Sequence, residues 1–368
     1  MYDPPPCGSL PTPRVSMASS ARSQASSRIR EFGLISALKQ RYGTTNRRLV
    51  RGIGDDAAVI ASSPNRHYLF TTDLVAEGIH FNRLTATLTD VGFRAAAANL
   101  SDIAAMGGIP EYLLVSLAIP PGATVRQVEQ LYNGMMAACR AHRVRLIGGD
   151  TSASKGGWFV NIVLIGSAES GSILLRNGAR VGDDLYVTGT LGDSRAGLQI
   201  LERPRGTTQT RSLRAAHRRF LVRRHLRPTA RIHEGRWLSK TGWATSAIDL
   251  SDGLSGDLRH LCTESGVGAV IELAALPISS ACRQYALTVK QDPSVLALAG
   301  GEDYELLFTV PARQRTRFAR ASAQRHFHMT RVGRMTSAKE GLRMMLPDGR
   351  QRPLSFSSYE HFRSRPSQ

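Results

Sequence analysis

At 368 residues the chain is long for a single hydrophobic core and fits two domains. Its four cysteines, Cys7, Cys139, Cys262 and Cys282, are widely spaced and form no CxxC pair, which argues against a zinc knuckle or a disulfide framework and for a reducing, cytoplasmic setting. The net charge of +19 raises nucleic acid as a partner, yet it is concentrated: residues 203 to 236 carry eleven arginines against Glu234, and residues 313 to 334 carry seven with no acid.

The first 28 residues are rich in Ser, Pro, Ala and Arg, with a single acid, Asp3, and no apolar run to serve as a secretory core. Such a composition predicts a disordered leader, with Met17 as a second candidate initiator and the fold starting near Arg28. From there short apolar runs alternate with helical patterns, as in an α/β protein. Tyr68 to Leu74 reads as a strand ending at Thr71-Thr72-Asp73, and Asp90 to Met106 as an Ala-rich helix stopped by Gly107-Gly108. Glu111 to Ile119 reads as a buried strand. It lies in the longest apolar stretch, which falls well short of the roughly 20 residues a bilayer span needs, so no membrane partner is expected. Thr124 with Gln127 spells a capping box for a helix to about His142, Val144 to Ile147 a strand delivering Gly148-Gly149-Asp150, and Phe159 to Ile165 a further strand. The polar, Gly-rich stretch from Glu169 to Val181 marks a boundary. This divides the chain into a leader over 1–28, a first domain over 29–168 and a second over 169–368. The second block repeats the alternation, with strands near Leu185, Ser246, Ala269 and Tyr304. Its arginine-rich segments have no regularly interleaved aromatics, so they read as solvated helix faces, and nucleic acid is not expected as a partner.

Five acidic motifs recur in this frame: Gly54-Asp55-Asp56, Thr71-Thr72-Asp73, Asn99-Leu100-Ser101-Asp102, Gly148-Gly149-Asp150 and Asp249-Leu250-Ser251-Asp252. Carboxylates gathered into one pocket repel one another unless hard cations sit between them. An all-oxygen ligand set of this kind suits Mg²⁺, which binds a few carboxylates and otherwise keeps water or substrate phosphates. Asn99 and Asp102, three apart on a helix, share a face. Thr72 and Asp73 point to opposite sides if the strand continues, but both can reach the mouth at its carboxyl end, where open α/β sheets bind ligands. Taken singly, each motif also fits a turn or an ordinary N-cap; only the set points to a site.

Of two familiar phosphate sites, one is excluded and the other is disfavoured. No Gly-Lys dipeptide occurs, so there is no Walker P-loop. Gly52-Ile53-Gly54-Asp55-Asp56-Ala57 matches a dinucleotide pattern, but its variable positions are aspartates and Ala58 to Ala61 reads as strand, where a helix is required.

The segments GIGDDAAVI, TTDLVAEGIHF, ANLSDIAAMGGIP, LIGGDTS, VTGTLGDSRAGL, AIDLSDGLSGDL, GGEDYELLFTVP and YEHF, in that order from about Glu31 to Phe362, resemble the thiamine-monophosphate kinase family. The resemblance implies an α/β (α+β) fold of two domains like that of aminoimidazole ribonucleotide synthetase, with the N-terminal sheet used to build a homodimer. It implies ATP and thiamine monophosphate as substrates, and thiamine diphosphate, made in the last step of its biosynthesis, as product. Carried over residue by residue, it puts several Mg²⁺ ions on Asp56, Thr71, Thr72, Asp73, Asp102, Asp150, Asp249 and Asp252. ATP contacts fall on Tyr132, Gly149, Asp150, Arg176 and Ser251, and substrate contacts on His80, Glu302 and Tyr359. The nucleophile implied is a phosphate oxygen already ionised at neutral pH, so neither a strong base nor a covalent phospho-enzyme is expected.

Overall fold

The computed structural model describes residues 31–203 and 212–354. The expected leader over 1–28 and the substrate role of Tyr359 lie outside them. The N-terminal unit runs α1 (Glu31–Tyr42), β1 (Leu49–Arg51), β2 (Ala58–Ser63), β3 (Arg66–Ala76), α2 (Leu88–Ala105), β4 (Ile109–Ile119), α3 (Val125–Arg140), β5 (Arg145–Ala153) and β6 (Phe159–Glu169). Its six strands order as β1-β2-β3-β6-β4-β5.

One face of this sheet is covered by α2. The helix starts where Thr87 Oγ1 accepts the Asp90 N–H, and its alanines allow close packing. At the crossing with α3, a Cβ on Gly92 would lie 2.0 Å from the Leu131 carbonyl oxygen, and one on Gly134 1.9 Å from that of Thr89. Only glycine fits there. The Thr124–Gln127 capping box of α3 forms as its sequence predicts. The other face of the sheet is uncovered: Leu69 and Thr71 on β3 are buried, while Tyr68 and Leu74, of opposite parity, are exposed.

The second unit contains β7 (Asp183–Thr188), α4 (Asp193–Glu202), α5 (Ala215–Leu226), α6 (Ile232–Thr241), β8 (Ser246–Asp249), α7 (Leu254–Ser265), β9 (Val267–Glu272), α8 (Ser280–Thr288), α9 (Pro293–Ala299), β10 (Leu306–Pro311), α10 (Arg315–Gln324), β11 (Met329–Ser337), β12 (Leu342–Met345) and β13 (Gln351–Pro353). Its seven strands order as β13-β12-β9-β11-β7-β10-β8. The units share a core, in which Leu100 and Ile103 of α2 join Tyr186, Phe308 and Phe318. Gly235 of α6 sits where a Cβ would be 2.0 Å from the Ala104 carbonyl oxygen.

Several local expectations are corrected. β3 does not end at Asp73; its ladder with β6 continues through Asp73↔Ile162 and Leu74↔Asn161 to Ala76. β5 does not stop before Gly148-Gly149-Asp150 but runs through it as an exposed edge strand parallel to β4. Asp252 lies just ahead of α7, whose N-cap is Gly253. The strand expected near Tyr304 begins only at Leu306. The arginine segments are not plain solvated faces. Arg224, Arg227, Arg231 and Arg236 pair with Glu305, Asp90, Glu305 and Glu169, and Arg315 and Arg331 both pair with Asp184, the latter from strand β11.

Candidate phosphate and metal site

Three of the acidic motifs converge. Asp56 comes from the turn before β2, Asp102 from the last turn of α2 and Asp249 from the end of β8, and one carboxylate oxygen of each lies within 4.8 Å of the others. Both units contribute. Arg176 donates to Asp56 Oδ1 through Nη2 at 2.6 Å and Nε at 3.2 Å, leaving Asp56 Oδ2 buried with no partner. Ser101 Oγ donates to Asp249 Oδ2 at 2.8 Å, and Thr71 Oγ1 donates to Asp102 Oδ2. These hydroxyls orient carboxylates without neutralising them.

The electrostatics follow from that crowding. Burial, then repulsion from Asp56, pushes Asp249 up to about 8. Burial, then the charges of Asp73, Asp249 and Asp56, holds Asp102 well above the usual carboxylate range. Burial also raises Asp73 and Asp252 to about 6. A buried all-oxygen cluster that resists ionisation, with an orphaned carboxylate oxygen, fits a hard divalent cation such as Mg²⁺.

The remaining candidates are placed unevenly. Thr71 and Asp73 share the α2 side of β3, whereas Thr72 points away and meets Asn161 at 3.2 Å. Asp150 is exposed on β5, in register with Ser116, Asn161 and Leu74, and so lies on the Thr72 face, three strands and roughly 14 Å from β3. Within one chain it is not brought to the cluster. Gly149 is required by close strand approach, since a Cβ would lie 1.8 Å from the Val115 carbonyl oxygen. Tyr132 packs half-buried against the core from α3. Ser251 and Asp252 follow β8 on a turn fixed by Asp257, whose Oδ2 accepts the N–H groups of Asp252 at 3.2 Å and Gly253 at 3.0 Å. Asp257 was missed in the sequence; its only signal was an aspartate four residues after Gly253.

His80 and Glu302 form a second cluster with a residue that no motif singled out. Arg94 Nη2 donates to the His80 carbonyl oxygen at 3.2 Å and to Glu302 Oε1. His225 Nδ1 lies 3.6 Å from Glu302 Oε2. His80 Nδ1 accepts the Ala76 N–H at 3.0 Å, which puts the proton of a neutral ring on Nε2. Burial works to raise the Glu302 carboxyl, but the charge of Arg94 and its hydrogen bond hold it below its ordinary value. Glu302 and Tyr304 are left-handed, with φ 64° and 51°, and the Asp303 between them accepts the N–H groups of Gly192 at 2.6 Å and Ser194 at 3.0 Å.

Residues 54–168 match the N-terminal domain, and residues 180–344 the C-terminal domain, of the AIR synthase related proteins. The thiamine-monophosphate kinase of Aquifex aeolicus is 38% identical over 306 residues, covering 83% of this chain and 91% of its own. That of Escherichia coli O157:H7 is 37% identical, covering 90% and 98%. The structure of AaThiL complexed with AMPPCP and TMP superposes with a TM-score of 0.78 at 35% identity, over 92% of this chain and all of that one. The hydrogenase maturation protein HypE in complex with ATP, at 22% identity and a TM-score of 0.62, shares the fold. With both domains matched and relatives this similar along nearly their whole length, the chain belongs to the thiamine-monophosphate kinase family of AIR synthase related proteins.

Proposed function

We propose that this chain phosphorylates thiamine monophosphate by direct in-line transfer of the γ-phosphoryl group of ATP, in the cleft where Asp56, Asp102 and Asp249 meet. The observation that carries the reading is that convergence, from both units, in a chain of this family. The obstacle in such a transfer is repulsion between two polyanions. Magnesium, when bound, would supply neutralisation of the phosphate charge. Asp56, Asp102 and Asp249 would hold it, with Asp73 and Asp252 beside them and Thr71, Thr72 and Asp150 assigned by motif. Ser101 and Thr71 keep two of the carboxylates aimed. Arg176, already on Asp56, brings a fixed positive charge for ATP. Ser251, Gly149 and Tyr132 are the further ATP contacts. The acceptor phosphate is ionised at neutral pH, so no side chain has to remove its proton.

An ADP-release assay across a panel of phosphorylated acceptors tests the activity. Release that depends on thiamine monophosphate is expected, and release indifferent to the acceptor would contradict the reading. His80, Glu302 and Tyr359 are proposed to meet the acceptor. His80→Ala is expected to raise KM for thiamine monophosphate by about tenfold, with KM for Mg-ATP nearly unchanged. A large fall in kcat with both KM values intact would instead put His80 in the transfer step.

The proposal extends to a homodimer. Tyr68, Phe70, Leu74, Tyr112, Leu114 and Phe159 share the uncovered face of the N-terminal sheet, and Leu74 is 53% exposed. An apolar sheet face of this kind is normally covered. Asp150 lies on it, so any part Asp150 plays is tied to the second copy. Sedimentation velocity should give a dimer that Leu74→Glu dissociates; a wild-type monomer at micromolar concentration would refute the pairing. The setting proposed is the cytoplasm. Cys139, Cys262 and Cys282 are free and buried, and no helix among the described residues is long and apolar enough to cross a membrane.

A further inference from the structure

We propose that Arg94 is a positioning residue of the acceptor subsite, fixing His80 and Glu302 relative to each other. The inference rests on the acceptor reading of those two residues given above. Arg94 stands on the buried side of α2, only 5% exposed, in the helix that also carries Asp102. Its Nη2 serves the His80 carbonyl, on the loop leaving β3, and Glu302 Oε1, which is 208 residues away in the other unit. One nitrogen therefore ties together two segments that belong to different domains.

Two features separate this arrangement from an ion pair built only for stability. Glu302 is held in the left-handed region, a strain that persists because its N–H is fixed to the Ser251 carbonyl at 2.7 Å and that of Tyr304 to the Leu250 carbonyl at 2.9 Å. The Glu302 side chain stays 30% exposed although its arginine partner is buried. Part of that side chain thus stays open to solvent while its carboxylate is held between Arg94 and His225. On its far side His225, whose Nδ1 also lies 3.0 Å from Ser194 Oγ, is pushed down to about 4 by burial and is neutral near pH 7. The positive charge in contact with Glu302 is then that of Arg94. Through the Ser251 carbonyl the same segment joins the turn carrying Asp252, so a shift of Glu302 would be felt where the acceptor approaches the acidic cluster.

Binding of thiamine monophosphate to the full-length protein, measured by calorimetry with Mg²⁺ and AMPPCP present, tests this alongside KM for both substrates and Tm. Arg94→Ala should weaken acceptor binding by about 10- to 100-fold, with KM for Mg-ATP changed by no more than about twofold. Arg94→Lys, which keeps the charge but not the planar donor fork, should recover part of the loss. Adding Arg94→Ala to Glu302→Gln should cost less than about threefold more, because the two act through one contact. Acceptor affinity at the wild-type level in Arg94→Ala overturns the proposal, and so does an equal loss for both substrates with a lowered Tm. Should the alanine variant not fold, Arg94→Lys decides, and unchanged acceptor affinity in it overturns the proposal. Wild-type protein that binds Mg-AMPPCP but no thiamine monophosphate would instead remove the acceptor reading, and the role of Arg94 with it.

Discussion

Asp249→Asn is expected to lower kcat on the order of 10²- to 10³-fold while leaving the metal-free protein at least as stable as the wild type. Asp249 is buried at the end of β8, next to Asp56 and Asp102. Burial and repulsion push its carboxyl up to about 8, so in the metal-free fold near pH 7 it is largely neutral. Asparagine matches that neutral form and can still accept from Ser101 Oγ. The sign of the pH effect follows from the raised value. Below about pH 4 both states of the wild type are protonated; from there to about 8 the native state keeps a proton that the unfolded chain has released, so wild-type stability falls with rising pH. The variant lacks this loss, and its metal-free Tm should equal or exceed that of the wild type at pH 8. Added Mg²⁺ should raise the wild-type Tm and do little for the variant. A variant with near wild-type turnover at millimolar Mg²⁺ would remove Asp249 from the metal site.

Glu305→Gln should be among the most damaging single changes to stability, at about 3–5 kcal/mol in urea unfolding. The Glu305 side chain is fully buried and accepts from Arg231 Nε at 2.5 Å and Nη2 at 2.6 Å, Arg224 Nη2 at 2.7 Å and Thr188 Oγ1 at 2.6 Å. Removing its charge leaves the two guanidiniums close together, with Glu234 at 3.3 Å from Arg231 and Asp193 at 3.9 Å from Arg224 as the remaining carboxylate neighbours. Arg224 also reaches the Asp303 carbonyl at 3.4 Å, so the damage should spread to the strained segment holding Glu302. A loss under about 1 kcal/mol would mean that the network is relaxed by solvent.

Glu302 and Glu305 share a single motif, and their different fates show what the sequence could carry. The Thr124–Gln127 cap and the opposite faces of Thr72 and Asp73 were legible because both depend on spacing alone: three residues in a helix and two in a strand. The gathering of Asp56, Asp102 and Asp249 was foreshadowed by the repetition of carboxylates beside small residues. Arg94 was not. A lone arginine in an Ala-rich helix reads as a solvated charge, and only its distant partner Glu302 reveals otherwise. The arginine-rich stretches were misread for the same reason, since Asp90, Glu169, Asp184 and Glu305 lie far from them in the chain. Gly148-Gly149 looked like the end of a strand because glycine usually ends one. In β5 it lets the chain approach Val115 more closely than any side chain allows.

Direct phosphoryl transfer from ATP to thiamine monophosphate in the acidic cleft makes thiamine diphosphate and ADP together in one step. A single-turnover reaction with ATP labelled in the γ-phosphoryl group, followed by separation of small molecules from protein, tests it most directly. The label should appear in thiamine diphosphate, one for one with ADP, at no time on the protein, and not at all when Mg²⁺ is chelated. Label released as free phosphate, or trapped on the protein and chased into product, would contradict the account.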